Sequence, residues 1–278
     1  RRPQHPARSP EYLSRAIAGG PSSLLVAERA GAVVGMARVA VAVVPATTDG
    51  HVAQVGYVYV DERARRQGVG HALMEGCHEW IREREGRRVY IPVLVGDAEA
   101  LSFFRDLGYV DRGDIDSMGL SDTGDADEPN TREAVEADYP AVSALFDETT
   151  QFHHDIAPNE YSEPTPPALS QERFQQFVEA DGATFLVAER DSVVVAIVEA
   201  RVIPSIVFAG GRYGSVMALH VSNACRGGGV GSGLMRRCHQ HDVPRAHLRV
   251  IGENAGAKAF YRRIGYAPQA LEMVCQLH

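Results

Sequence analysis

Two short runs carry the most legible chemistry in this sequence: Arg65-Arg66-Gln67-Gly68-Val69-Gly70 and Arg226-Gly227-Gly228-Gly229-Val230-Gly231. Each follows an apolar run ending in valine (Val58-Tyr59-Val60 and Leu219-His220-Val221) and leads into an amphipathic stretch. Glycine, having no Cβ, lets backbone N–H groups approach a ligand closely. The start of a helix offers unpaired N–H groups and partial positive charge, so strand, glycine loop and helix together make an anion site suited to a pyrophosphate. Arginine beside such a loop adds charge-assisted hydrogen bonds to phosphate. The first run sets Arg65, Arg66 and Gln67 toward that anion, whereas the second offers Arg226 and then glycines. Rival phosphate loops fail on residue type. No lysine follows either loop, and Leu73 and Leu234 stand where a dinucleotide fingerprint needs its third glycine.

The two runs belong to a repeat of the whole sequence. Leu25-Val26-Ala27-Glu28-Arg29 returns as Leu186-Val187-Ala188-Glu189-Arg190, 161 positions later. The same offset carries Gly68-Val69-Gly70 onto Gly229-Val230-Gly231 and Cys77-His78 onto Cys238-His239. Further on, Phe103-Phe104-Arg105 matches Phe260-Tyr261-Arg262 at an offset of 157, so the second copy is four residues shorter between its loop and its last helix. The chain is a duplication. Its seam is the acidic, turn-rich stretch 121–130. Thr131 then opens a segment with Ala141, Val142, Leu145 and Phe146 at helical spacing, which the first copy lacks.

The elements that must position the loops follow from pattern. Residues 23–28 and 32–44 alternate and are β-branched around Gly31, predicting a hairpin, and 52–60 predicts a third strand. Helices are expected over 69–85 and 98–107, with strands over 89–95 and 115–120. The second copy repeats that order, its loop helix cut short near His241 before Pro244.

Over essentially its whole length, and twice, the sequence resembles the GNAT superfamily of acyl-CoA-dependent N-acyltransferases. The resemblance rests on the two strand ends, the two glycine loops and the later run Asn254-Ala255-Gly256-Ala257-Lys258-Ala259-Phe260-Tyr261-Arg262-Arg263-Ile264-Gly265-Tyr266. It implies an α/β fold with a mixed sheet, as two GNAT-like domains in tandem: 1–120, an acidic linker 121–130, and 131–278. The first domain is expected to lack its initial strand and helix, through truncation or disorder. By the same resemblance acetyl-CoA is the co-substrate. It would be held by Val58, Val60, Arg65, Arg66, Gln67, Gly68, Val69 and Gly70 in the first copy. In the second it would be held by Leu219, Val221, Arg226, Gly227, Gly228, Gly229, Val230, Gly231 and Asn254. Tyr261 takes the place of the family's general acid toward the departing thiolate.

The copies depart from that pattern in different places. The first has Phe104 where the second has Tyr261, and Asp97 where the second has Asn254. An alkyl ammonium has a pKa near ~10, so transfer to an amine needs a base or a desolvating pocket. The family's frequent acidic base on the central strand is absent, its positions holding Gly56-Tyr57 and Met217-Ala218. His220, Glu199 and His154 are the remaining candidates, each equally readable as an ordinary polar residue. His153-His154 and the run from His239 to His241 lack convincing ligand spacing, and no metal is expected.

Composition narrows the classes. The chain has 278 residues, 45% of them apolar and 23% charged, enough for two domains with their own cores. A net charge of −8 argues against a nucleic-acid partner and is ordinary for solubility. No run approaches the ~20 apolar residues of a membrane span, and no apolar segment follows the basic start as in a signal peptide. Cys77, Cys225, Cys238 and Cys275 show no CxxC spacing and read as reduced thiols of a cytoplasmic protein. These readings predict an N-acetyltransferase acting on a small-molecule or peptide amine, compatible with a homodimer. The alternatives are a non-catalytic acyl-CoA-binding scaffold or sensor, or an enzyme of the mycothiol synthase type, which acetylates a cysteinyl amine.

Overall fold

A computed structural model describes residues 20–43, 51–119, 130–204, 211–239 and 243–277. The acidic linker apart from Asn130, the start of the chain, Val44, Leu120 and His241 lie outside these. The described chain forms two compact units.

In unit 1, Ser22–Arg29 (β1) and Ala32–Val43 (β2) make the expected hairpin. Its turn runs through Ala30 and Gly31, both at positive φ. His51–Val60 (β3) pairs antiparallel with β2. It then crosses to Val69–Arg82 (α1) and returns as the parallel strand Arg88–Leu94 (β4), followed by Ala98–Asp106 (α2). The right face of α1 is dictated by spacing: Leu73, Met74, Cys77 and Ile81 fall on one stripe and are buried against Ala37, Val39, Ala53 and Val55. The helix begins one glycine after the loop because Gly68 takes a left-handed φ of 81° that ends the preceding turn. It stops at Arg82, three residues short of the expected 85, where Glu85 and then Gly86 turn the chain.

Unit 2 repeats this with Ala183–Arg190 (β7), Val193–Pro204 (β8), Arg212–Val221 (β9), Val230–Cys238 (α5), Arg245–Ile251 (β10) and Ala255–Arg263 (α6). Ahead of β7 stand Thr131–Glu133 (β6), Tyr139–Ile156 (α3) and Gln171–Glu179 (α4). The helical spacing expected after Thr131 is realised in α3, which buries Val142 and Leu145 with Phe174 of α4 against Phe185, Val187 and Ile197. The sheet of unit 2 is therefore packed on both faces, by α5 and α6 on one and α3 and α4 on the other. In unit 1 the face away from α1 carries no buried cluster among the described residues, and Val26 and Tyr59 are about half exposed there (49% and 50%).

The units do not break where the sequence repeats do. Unit 1 is residues 1–114 with 269–278, and unit 2 is 115–268. Val110–Gly119 (β5) and Ala267–Gln276 (β11) are corresponding last strands; unit 1 takes in residues 269–276 of β11, whereas β5 is divided, with residues 115–119 in unit 2. β11 pairs antiparallel with β4, from Ala270 opposite Leu94 to Gln276 opposite Arg88. Its alternate residues Leu271, Met273, Cys275 and Leu277 pack into the core of unit 1. Residues 115–119 of β5 lie beside β10, where Met118 joins the core of unit 2. The compact units part at 114/115, within β5, and at 268/269, within β11. β5 also begins at Val110, earlier than the expected 115.

Candidate functional site

The two glycine loops fold alike. Arg65 Nε donates to the Val60 carbonyl at 3.1 Å, and Arg226 Nε donates to the Val221 carbonyl at 3.1 Å. Each first arginine therefore ties its loop to the end of the preceding strand. Gly68 and Gly229 sit at φ of 81° and 82°, where a side chain is strained. Gly70 and Gly231 are small for another reason: a Cβ there would come within 3.2 Å of the Phe103 ring and 3.3 Å of Val221. Glycine at the second position of each pair thus serves packing rather than ligand approach.

The helix starts are the feature that would suit these loops to an anion. α1 and α5 begin on Gly68 and Gly229 with no side-chain cap and no acidic residue in the first turn. By contrast α2, α4 and α6 are capped by Asp97, Ser170 and Asn254. The first-turn N–H groups of a helix, here from Val69, Gly70, Val230 and Gly231 onward, have no intrahelical partner. An exogenous anion is the natural partner. The side chains around the two loops differ. Arg66 holds a φ of 58° and pairs with Glu99 at 3.1 Å, both well exposed. Gln67 donates to the Arg63 carbonyl at 2.8 Å and accepts from Arg29. In unit 2 Gly227 and Gly228 replace them, and Arg190, the counterpart of Arg29, lies against Gly228. A cleft of about 490 Å³ opens beside this second loop, lined by Glu189, Arg190, Gly228, Gly229, Gly233 and Arg236.

The strands leading to the loops part from their neighbours. β9 and β10 pair in parallel only from Gly214 opposite Ala246 to Val216 opposite Leu248. β3 and β4 pair only at Ala53 opposite Val89 and Gln54 opposite Tyr90. Beyond those points, among the described residues, 218–221 and 57–60 are paired on one edge only, to β8 and β2. A bulge marks each parting, with Gly56 and Met217 skipped in the register to the outer neighbour. Val58, Val60, Leu219 and Val221 pack toward the loop helix with their side chains, leaving backbone groups along a wedge-shaped opening. Extended chain such as a pantetheine arm can hydrogen-bond to such an edge.

On α6, Asn254 Oδ1 accepts from the Ala257 N–H at 3.0 Å, and Asp97 does the same for Ala100 at 2.9 Å in unit 1. Both residues are helix caps. Tyr261 is 9% exposed, its ring edge-on to Phe260 at 5.1 Å and to Tyr266 at 5.7 Å. Burial and the nearby Asp116 carboxylate push its phenol well above the ordinary range, so it stays protonated.

The face of β9 toward α3 carries groups of another kind. His220 is 6% exposed, and its Nε2 lies 3.1 Å from Glu148 Oε2 on α3. Burial lowers the imidazole pKa below its usual value, and Glu148 pulls it back up. Glu199 stands opposite Ala218 at the bulge, its carboxyl raised by burial and bound to Arg201 at 3.1 Å. His154 is engaged elsewhere, through Nδ1 with the Tyr161 carbonyl at 2.9 Å. His239 pairs with the Tyr266 hydroxyl at 2.8 Å, as His78 does with Tyr109. Among the described residues no cluster of three or more His, Cys, Asp or Glu side chains is arranged to hold a metal. No helix among them is long and apolar enough to cross a membrane.

Of the three base candidates read from sequence, the structure brings His220 to the parted strand and joins it to a carboxylate. Glu148 was missed. It is one acidic residue among several on α3, and only the packing of α3 on β8 and β9 distinguishes it.

A family model described as Acetyltransferase (GNAT) family matches residues 1–109 and 146–266. No curated protein matches the chain. Among solved structures, a GCN5-related N-acetyltransferase from Sphaerobacter thermophilus is similar with a TM-score of 0.62 and 20% identity, over 93% of this chain and 81% of that one. A tandem GNAT protein from the clavulanic acid biosynthesis pathway, solved without AcCoA, gives 0.54 and 16% over 95% and 86%. A fungal multi-domain β-N-acetylglucosaminidase carrying a GCN5-related glucosamine N-acetyltransferase region gives 0.60 and 18%, over 94% of this chain and 33% of that one. At these identities the likeness is one of fold.

Proposed function

Since the chain belongs to the acetyltransferase (GNAT) family, we propose that it is an acetyl-CoA-dependent N-acetyltransferase whose transfer site lies in unit 2. The acceptor is a small-molecule or peptide amine. The observation that carries this reading is the uncapped start of α5 on a left-handed glycine, at the mouth of the parted β9 and β10. That start supplies N–H groups for the pyrophosphate, with Arg226 and Val230 beside it. The free edge of β9 supplies backbone groups near Leu219 and Val221 for the pantetheine arm. A strand N–H directed at the thioester carbonyl stabilises negative charge on its oxygen.

Tyr261 serves as the proton donor to the departing sulfur. Its raised pKa keeps the phenol protonated at neutral pH. Unit 1 has the same kind of helix start and parted strands but Phe104 in place of the phenol, so it binds cofactor without effective transfer. Its loop includes Arg65, Arg66, Gln67, Gly68, Val69 and Gly70.

The test is thiol release from acetyl-CoA across a panel of amines that includes amino sugars, amino acids and short peptides. Amine-dependent release with a matching acetylated product supports the proposal. Binding of acetyl-CoA by calorimetry with no amine acetylated would leave a cofactor-binding scaffold in its place.

A further inference from the structure

The geometry points to His220 and Glu148 as the proton-accepting pair for the incoming amine, with His220 the catalytic residue and Glu148 the positioning residue. This rests on the reading of unit 2 as the transfer site. Three observations converge on it. His220 sits on the part of β9 that has separated from β10, one residue before the strand ends at Val221. Its imidazole lies on the opposite face of that strand from Leu219 and Val221, which pack toward α5. It is held there by Glu148, 72 residues away in sequence, at 3.1 Å.

The hydrogen bond also decides the tautomer. A carboxylate accepts only, so Nε2 carries the proton and donates it to Glu148, leaving the lone pair on Nδ1. This is the arrangement in which an imidazole can take up a second proton, the resulting imidazolium being stabilised by the carboxylate. Charged groups bearing on the ring are Glu148 from α3 and Arg226 from the loop. Glu199 of β8 lies near in register, opposite Ala218, and is occupied by Arg201. The net result is a nearly sealed imidazole that is neutral near pH 7 and so able to act as a base.

The proton balance is as follows. The acceptor ammonium gives one proton to Nδ1 of His220 and becomes a neutral amine. Its nitrogen lone pair attacks the thioester carbon, forming the C–N bond. Collapse breaks the C–S bond, and the electron pair leaves on sulfur. The sulfur takes a proton from Tyr261, the phenol is restored by the proton still on the amide-forming nitrogen, and the imidazolium releases its proton to solvent. Products are the acetamide, the free thiol and one proton.

Among the described residues unit 1 has no such pair. The position matching His220 is Tyr59, half exposed, and among the described residues that face has no counterpart of α3.

Two substitutions test the pair, His220→Asn and Glu148→Gln, each checked first for acetyl-CoA binding by calorimetry. The expected result for His220→Asn is intact binding with kcat reduced about 100-fold or more at neutral pH, recovering as pH rises and free amine accumulates. Glu148→Gln should lower kcat less and move the acid limb of the kcat/KM profile to lower pH. In the cofactor-free protein, NMR titration of the His220 ring should show its pKa below the ordinary imidazole value and lower still in Glu148→Gln. Transfer with an unchanged pH profile in both variants would overturn the pair while leaving the proposed activity standing. Absence of transfer in the unsubstituted protein would remove the proposed activity itself, and the NMR titration would still show whether Glu148 sets the imidazole. An imidazole pKa unmoved in Glu148→Gln would overturn the coupling.

Discussion

Phe104 in unit 1 and Tyr261 in unit 2 occupy the same aromatic cage. Phe104 meets Phe103 at 5.0 Å and Tyr109 at 5.6 Å, with interplanar angles of 69° and 68°. Tyr261 meets Phe260 at 5.1 Å and Tyr266 at 5.7 Å, at 70° and 65°. The ring is a packing requirement common to both units, since each backs an aromatic residue against the loop helix. The hydroxyl is the part that packing does not require. The same division runs through the loops. Arg65 and Arg226 make identical bonds to their strand ends, so the first arginine belongs to the frame. Arg66 and Gln67 against Gly227 and Gly228, and Tyr59 against His220, are where the units diverge. Duplication preserved the joints and let the reactive groups differ.

The largest expected effect comes from the joints themselves. Gly68→Asp and Gly229→Asp each place a carboxylate beside the proposed pyrophosphate sites, at positions where the added Cβ meets no atom within 4 Å. The left-handed φ costs about 1–2 kcal/mol, which the fold should survive. Each variant should lose one equivalent of acetyl-CoA in a calorimetric titration. Full stoichiometry in either would make that loop structural only and break the equivalence of the units.

Next comes acid sensitivity. Burial lowers His239 from 6.5 to about 4, and it lowers His78 in the same direction. Folded, His239 stays neutral down to about 4, whereas the unfolded chain takes up a proton near 6.5. The unfolded state therefore binds more protons between those values, and stability falls as pH drops through that window. The size is at most roughly 3 kcal/mol. Hydrogen exchange followed segment by segment should show α5 losing protection before α1 between pH 6.5 and 4. The reverse order would mean that the two His–Tyr pairs are not the acid-sensitive difference.

Tyr261→Phe is a smaller and cleaner change, because unit 1 already shows that phenylalanine fits the cage. Melting temperature should barely move. A thiolate is a fair leaving group, with thiols near pKa ~8.5, so acid help is modest and kcat should fall about tenfold. An unchanged kcat would assign the hydroxyl no part in transfer. Smallest is Arg66→Gly, which turns the first loop toward the second. It relieves a positive φ and removes an exposed charge worth about 0.2–1 kcal/mol, so the affinity of unit 1 should weaken only a few-fold. A loss beyond tenfold would show that Arg66 leaves Glu99 to grip phosphate.

Much of the frame was legible because it is local. Glycine spacing, β-branched alternation and the helical stripe of Leu73, Cys77 and Ile81 are set by neighbours a few residues apart, and the repeat confirmed them twice. The caps at Asp97 and Asn254 are local as well, and the resemblance read Asn254 as a cofactor contact. Their bonds to Ala100 and Ala257 give both residues a place in the helix start.

By itself, then, the sequence determined the duplication, the family and the order of strand, loop and helix, since each is written in residue types at short range. Tertiary structure alone decided which unit the last strand, β11, serves. The alternation of Leu271, Met273, Cys275 and Leu277 says that β11 faces a core, but period-two patterning carries no address, and β4 of the other repeat proves to be its partner. It likewise decided that His220 meets Glu148, because a contact between residues 72 positions apart depends on how α3 lies across β8 and β9, which no local pattern encodes.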